Sequence, residues 1–179
     1  MSRLFLVEGP DGAGKTTLAK ALAAATGAKY YHHGPYHSIT GSGELTAEYV
    51  VSMMPVATRS SDVILDRCWI SEKPYGAAFR CGADRLEPVD VVALEGFAKR
   101  RCAALVVLCL PPWEKVAENF GKKAEYLSGL GPLRVVYDWY AGERLTALPV
   151  LRFDPLAMTV DEAVRHVLDE MAMTEAAHD

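Results

Sequence analysis

Near its start the chain reads Gly9-Pro-Asp-Gly-Ala-Gly14-Lys15-Thr16, which fits G-x-x-x-x-G-K-[ST] at every defined position. The match stands between an apolar run with the length of a buried strand, Arg3-Leu-Phe-Leu-Val-Glu8, and an alanine- and leucine-rich stretch that reads helical from 15 to about 26. A buried strand, a glycine-rich turn and a helix in that order belong to a parallel α/β sheet, whose ligand crevice lies at the carboxyl ends of the strands. Backbone N–H groups of such a loop, together with the helix N-terminus, converge on phosphate oxygens. Gly12 and Gly14 permit the close approach that a side chain would block. Lys15 then reaches the β- and γ-phosphates, and Thr16 offers its hydroxyl to Mg²⁺. Asp11, Gly12, Ala13, Gly14, Lys15, Thr16 and Thr17 are the expected nucleotide-binding set. The loop implies a bound nucleoside triphosphate.

The remaining pattern supports that architecture. Strands are expected over 28–31, 62–66, 104–110 and 149–153. Helices are expected over 46–58, 71–80, 88–101, 113–127 and 132–145, with a last one starting at Thr159. Val50, Met53, Met54 and Ala57 suggest the buried stripe of the 46–58 helix. Thr159 with Glu162 three residues on is a capping-box pattern, and Val160, Val164, Val167, Leu168 and Met171 follow as one apolar stripe, with fraying expected after Met173. Apolar strands alternating with helices imply a five-stranded parallel sheet covered on both faces. The expectation is one α/β domain over 1–179.

Composition narrows the classes. The chain has 179 residues, half of them apolar, enough for a sizeable core and too apolar for disorder. Lysine and arginine total 19 against 23 acidic residues, a net charge of −4. That balance argues against a dedicated nucleic-acid binder, whose affinity rests on a basic field. Lys99-Arg100-Arg101 reads as a solvated helix end. The four cysteines form no CxxC pair and read as reduced thiols of a cytoplasmic protein. No run approaches the ~20 apolar residues of a membrane span, and Leu4–Val7 is too short for a signal peptide.

Val63-Ile-Leu-Asp66 puts a carboxylate at the tip of a buried strand, which makes Asp66 the second candidate for the Mg²⁺ shell. Arg67, next to it, is suited to bridging anionic groups bidentately. Glu8-Gly-Pro-Asp-Gly-Ala-Gly-Lys-Thr-Thr17 resembles the E-G-x-D-G-x-G-K-[ST]-T loop of the thymidylate kinase family. Asp66-Arg67, Ser71 and Tyr75 match that family's D-R-x-x-x-S-x-x-x-Y pattern. The resemblance implies the P-loop kinase fold and Mg²⁺-dependent phosphoryl transfer from ATP to a nucleoside monophosphate, dTMP foremost. By the same likeness Asp11 would contact the acceptor sugar hydroxyl and Arg67 its phosphate. Glu8, Ser71 and Tyr75 would belong to the acceptor site, and the assembly would be a homodimer.

Two departures from the family pattern matter. Its R-E-P-type acceptor motif after the second strand is replaced by Tyr31-His-His-Gly-Pro-Tyr-His37, without arginine or carboxylate, which leaves His33 and Tyr36 as the residues expected to touch substrate. A zinc site on His32, His33 and His37 finds no carboxylate or cysteine at ligand spacing. The expected small helical lid, about 112–131, contains no arginine, so Lys122 or Lys123 is the cation that would close over the transferring phosphoryl group. The missing motif motivates an alternative acceptor: a hydroxyl on a nucleoside, or on a hydroxymethylated base in DNA, with Asp11 or Asp66 as base. A nucleotide-binding regulatory module without phosphotransfer is the third reading.

Overall fold

The computed structural model describes residues 2–34, 41–120, 129–142 and 145–177. Five strands, β1 (Arg3–Glu8), β2 (Lys29–His32), β3 (Val63–Asp66), β4 (Ala103–Cys109) and β5 (Val150–Phe153), form one parallel sheet in the order β2-β3-β1-β4-β5. Seven α-helices among the described residues accompany them: α1 (Lys15–Thr26), α2 (Ser42–Ala57), α3 (Glu72–Phe79), α4 (Pro88–Arg101), α5 (Trp113–Asn119), α6 (Leu130–Gly142) and α7 (Val160–Ala176).

Alternation along the strands sorts the core into two layers. Phe5, Val7, Ile64, Leu105 and Val107 pack against Leu18 and Leu22 of α1 and Val164, Val167 and Met171 of α7. Leu4, Leu6, Leu65, Val106 and Leu108 face the other way, onto Tyr49 and Met53 of α2, Leu94 of α4 and Leu133, Val136 and Tyr140 of α6. Helices therefore cover both faces, and β4 is buried along its whole length. None of the helices is long and apolar enough to cross a membrane.

The boundaries of β1, α1 and α4 coincide with those read from sequence. Thr159 caps α7 with both capping-box hydrogen bonds in place, and that helix runs on to Ala176 instead of fraying at Met173. Three expectations are corrected. The second helix begins at Ser42 and buries Leu45, Tyr49, Met53 and Val56, leaving Met54 half exposed, so its inner face is rotated from the expected stripe. Ser42 donates to Asp90 at the start of α4, and that tertiary tie outweighs the weak helix propensity of Gly43. The helix expected over 71–80 is preceded by a 3₁₀ turn, Trp69–Ser71. The helix expected over 113–127 ends at Asn119, where Phe120 turns extended (ψ 134°) and packs against the core. The described start of the expected lid lies directly on the phosphate loop: a Cβ on Gly12 would come within 2.9 Å of the Val116 carbonyl.

Candidate active site

Gly9 leaves β1 at φ 138°, so close under β4 that any Cβ would collide with the Cys109 carbonyl. The loop closes over Pro10, whose carbonyl accepts from Ala13 N (3.3 Å) and from Lys15 Nζ (2.6 Å). Gly14, at φ 85°, is the N-cap of α1 and supplies no side-chain acceptor to the first-turn N–H groups of that helix, the groups that bind anions at a helix N-terminus. Ala13 is buried beneath the loop and Thr17 is exposed on α1. The Lys15 ammonium is buried. Desolvation, and then the charge of Arg67, lower its pKa against the pull of Asp11 and Asp66. Its Nζ stands 4.0 Å from Asp11 Oδ1.

Asp66 is fully buried at the tip of β3. Its Oδ2 accepts from Thr16 Oγ1 (2.7 Å), Tyr30 OH (2.9 Å) and His32 Nδ1 (3.0 Å). Burial alone would raise this carboxyl. The bonds from His32 and Thr16, the Lys15 charge and the Tyr30 bond outweigh burial and hold it at about 2. Its Oδ1 is buried without a hydrogen-bond partner among the described residues. An ionised carboxylate with one open oxygen, beside a threonine whose proton is already directed at that carboxylate, fits a hydrated divalent cation.

Arg67 sits in the left-handed region (φ 73°), with its amide held by the Val7 carbonyl at 3.0 Å. Its guanidinium stacks 4.6 Å over the Tyr75 ring and pairs through Nη2 with Asp11. Burial, which lowers its pKa, is overcome by Tyr75, Asp11, Tyr140 and Glu8, so the group stays charged. Arg67 Nη1 and Asp11 Oδ2 are both buried and lack a hydrogen-bond partner among the described residues. An unpaired donor and an unpaired acceptor thus lie on one ion pair.

Glu8 points to the opposite face of β1 from Val7 and is fully buried. It accepts from Cys68 N (2.7 Å), Ser71 Oγ (2.8 Å) and Tyr140 OH (2.6 Å). Tyr140 of α6 was not singled out from sequence: it lies 132 positions from its partner, and no local pattern marks such a pair. A cavity of about 550 Å³ runs from Glu8 and Tyr140 across Val106 and Leu108 to Arg152. Neither Lys15 nor Asp66 lines it.

His33 is buried, its ring 5.0 Å from that of Tyr49. Trp69 is likewise in the core, edge-on to Tyr49 at 5.9 Å. His32 turns to Asp66, while Tyr36, His37, Lys122 and Lys123 lie outside the described residues. Arg80 and Arg85, unassigned from sequence, both clamp the buried Glu72 carboxylate, at 3.0 and 2.7 Å. Desolvation, and then the nearby His32, lower the His33 pKa from 6.5 to about 4, against the pull of Asp66. The unfolded chain therefore takes up this proton first. The stabilisation is complete above about pH 6.5 and is lost as pH falls toward about 4. Between about pH 7.5 and about pH 5 the loss comes to about 2 kcal/mol. His33→Phe keeps a ring against Tyr49 and should remove this acid-dependent step in urea denaturation. Equal acid sensitivity in both proteins would contradict the assignment.

No family model matches the chain, and no curated protein matches it. Solved structures do. The YorR protein from Bacillus subtilis, in complex with phosphorylated GDP, superposes with a TM-score of 0.77 at 17% identity, covering 97% of this chain and 98% of that one. Thymidylate kinase from Candida albicans gives 0.62 at 17% identity over 99% and 94%. Deoxyadenosine kinase from M. mycoides with bound dCTP gives 0.60 at 11% identity over 95% and 99%. The five-stranded parallel sheet with its flanking helices is the P-loop kinase fold.

Proposed function

We propose that the chain transfers the γ-phosphoryl group of ATP, with Mg²⁺, to a deoxynucleoside monophosphate, dTMP being the first candidate. The observation that carries this reading is the convergence of Lys15, Thr16 and Asp66 on the phosphate loop, with the Arg67 guanidinium beside Asp11 and its Nη1 buried and unpaired among the described residues. The likeness to a thymidylate kinase structure supports it at the level of fold.

Phosphoryl transfer leaves the protein the tasks of positioning and charge neutralisation. Lys15 leaves the Pro10 carbonyl for the β- and γ-phosphates, and the first-turn amides of α1 hold the same oxygens. Thr16 and Asp66 would hold the cation, which supplies neutralisation of the phosphate oxygens when bound. Arg67 Nη1 fixes the acceptor phosphate, and Asp11 Oδ2 accepts from the acceptor sugar hydroxyl. A monophosphate is already anionic at neutral pH, so its attacking oxygen needs no general base.

One observation favours a second reading, a hydroxyl acceptor. Asp11 already pairs with Arg67, and among the described residues the site gathers three buried carboxylates, Glu8, Asp11 and Asp66, against the cations of Lys15 and Arg67. Asp11 Oδ2 would then take the hydroxyl proton as the new P–O bond forms. The test is ADP release from Mg-ATP with deoxynucleoside monophosphates, nucleosides and hydroxymethyluracil-containing DNA as acceptors. The first reading expects strong stimulation by one monophosphate. Turnover confined to hydroxyl acceptors would replace it with the second.

A further inference from the structure

The Asp66 carboxylate is held in a lopsided way. A carboxylate offers about four acceptor positions, two on each oxygen. Here three donors, Thr16 Oγ1, Tyr30 OH and His32 Nδ1, crowd onto Oδ2, while Oδ1 is buried with no hydrogen-bond partner among the described residues. Two of the three donors come from β2. In the parallel register Tyr30 stands beside Ile64 and His32 beside Asp66, so the period of two along the strand brings both side chains to the face that Ile64 and Asp66 share. The same face carries α1 and its Thr16.

From this we infer that Tyr30 and His32 are positioning residues for the divalent cation: by occupying Asp66 Oδ2 they fix the carboxylate's rotation and commit Oδ1 to the cation's water shell. The inference rests on the phosphotransfer reading, because it takes Asp66 to serve a metal. Thr16 alone does not suffice for the task, since it makes a single bond to Oδ2 and its oxygen must also serve the metal. Tyr30 and His32 approach from a neighbouring strand, which gives the carboxylate a rigid reference. Groups that orient metal-bound carboxylates change metal affinity by roughly 10–100-fold when removed.

The test measures metal binding directly. Mn²⁺ affinity is read by electron paramagnetic resonance on the full chain saturated with ADP. ADP affinity is read in EDTA, and thermal unfolding is followed without ligand. Tyr30→Phe removes a single oxygen, and His32→Leu removes the nitrogen donor. His32→Asn restores a donor near the Nδ1 position.

The double variant Tyr30→Phe/His32→Leu should weaken Mn²⁺ by about 10-fold or more. Its ADP affinity in EDTA should stay within about twofold, because the metal-free phosphates are held by the loop and not by Asp66. His32→Asn should recover most of the loss. Unchanged Mn²⁺ affinity in the double variant, or in Tyr30→Phe alone should the double variant not fold, overturns the positioning role. Equal effects of His32→Asn and His32→Leu overturn it for His32. If the wild-type protein shows no coupling between Mn²⁺ and ADP, both this inference and the phosphotransfer reading fall. Coupling in the wild type that the variants retain removes the inference alone.

Discussion

Lys15→Met should lose turnover by about 10³-fold or more while folding at least as well as the parent. The two halves of this expectation have one cause. The ammonium is buried beside Arg67, with its pKa lowered by desolvation, and its nearest partners are a backbone carbonyl and an aspartate at 4.0 Å. Removing a desolvated charge while keeping the length of the side chain relieves that penalty. In the transition state the same charge faces the migrating phosphoryl group at close range in a site shielded from water, where it is most effective. Steady-state turnover and thermal unfolding without nucleotide check the two halves separately. A variant that keeps turnover within about tenfold would remove Lys15 from the catalytic set.

Glu8→Leu should cost about 3–5 kcal/mol of stability in urea denaturation. The carboxylate gathers the Cys68 amide, the Ser71 hydroxyl and the Tyr140 hydroxyl at 2.6–2.8 Å, all buried. Leucine leaves the Cys68 amide and one of the two hydroxyls without an acceptor, because Ser71 and Tyr140 can then bond only each other, at 3.2 Å, and it unties β1 from α6 and from the turn that carries Arg67. Glu8→Gln keeps one oxygen and should lose about half as much. A loss below about 1 kcal/mol for Glu8→Leu would mean that the donors find other acceptors and that the network does not organise this side of the sheet.

Much of this structure is legible in local pattern. The phosphate loop, the strand before it and the helix after it were readable because their requirements are met within about twenty consecutive residues. The capping box of α7 spans four positions, and β4 is an uninterrupted apolar run. Local pattern set the inner face of α2 only in part: Met53 lies in the core and Val50 packs against it, as expected. Leu45, Tyr49, Met53 and Val56 share one face by helical period, but the expected helix began at 46 and left Leu45 out, and Met54, equally apolar, stays half exposed. The candidate site was legible where short motifs carry it, Lys15 and Thr16 in one and Asp66 and Arg67 in another. It was not legible where partners come from distant elements, as when Tyr140 reaches Glu8 and Tyr30 reaches Asp66. Tyr30 and His32 did carry a faint signal, alternate polar side chains at the end of a strand, but only the β2–β3 register shows what they face.

On the proposed function, Lys15, Asp66 and Arg67 together move a phosphoryl group from ATP to a second molecule. Following the label of γ-labelled ATP through one incubation with Mg²⁺ and dTMP tests it most directly. The account predicts label on the acceptor, little of it as inorganic phosphate, and none on the acceptor with Lys15→Met. Label that appears only as inorganic phosphate, with every phosphate and hydroxyl acceptor supplied, would contradict it and leave an ATP hydrolase; label that stays in ATP would leave a nucleotide-binding module without phosphotransfer.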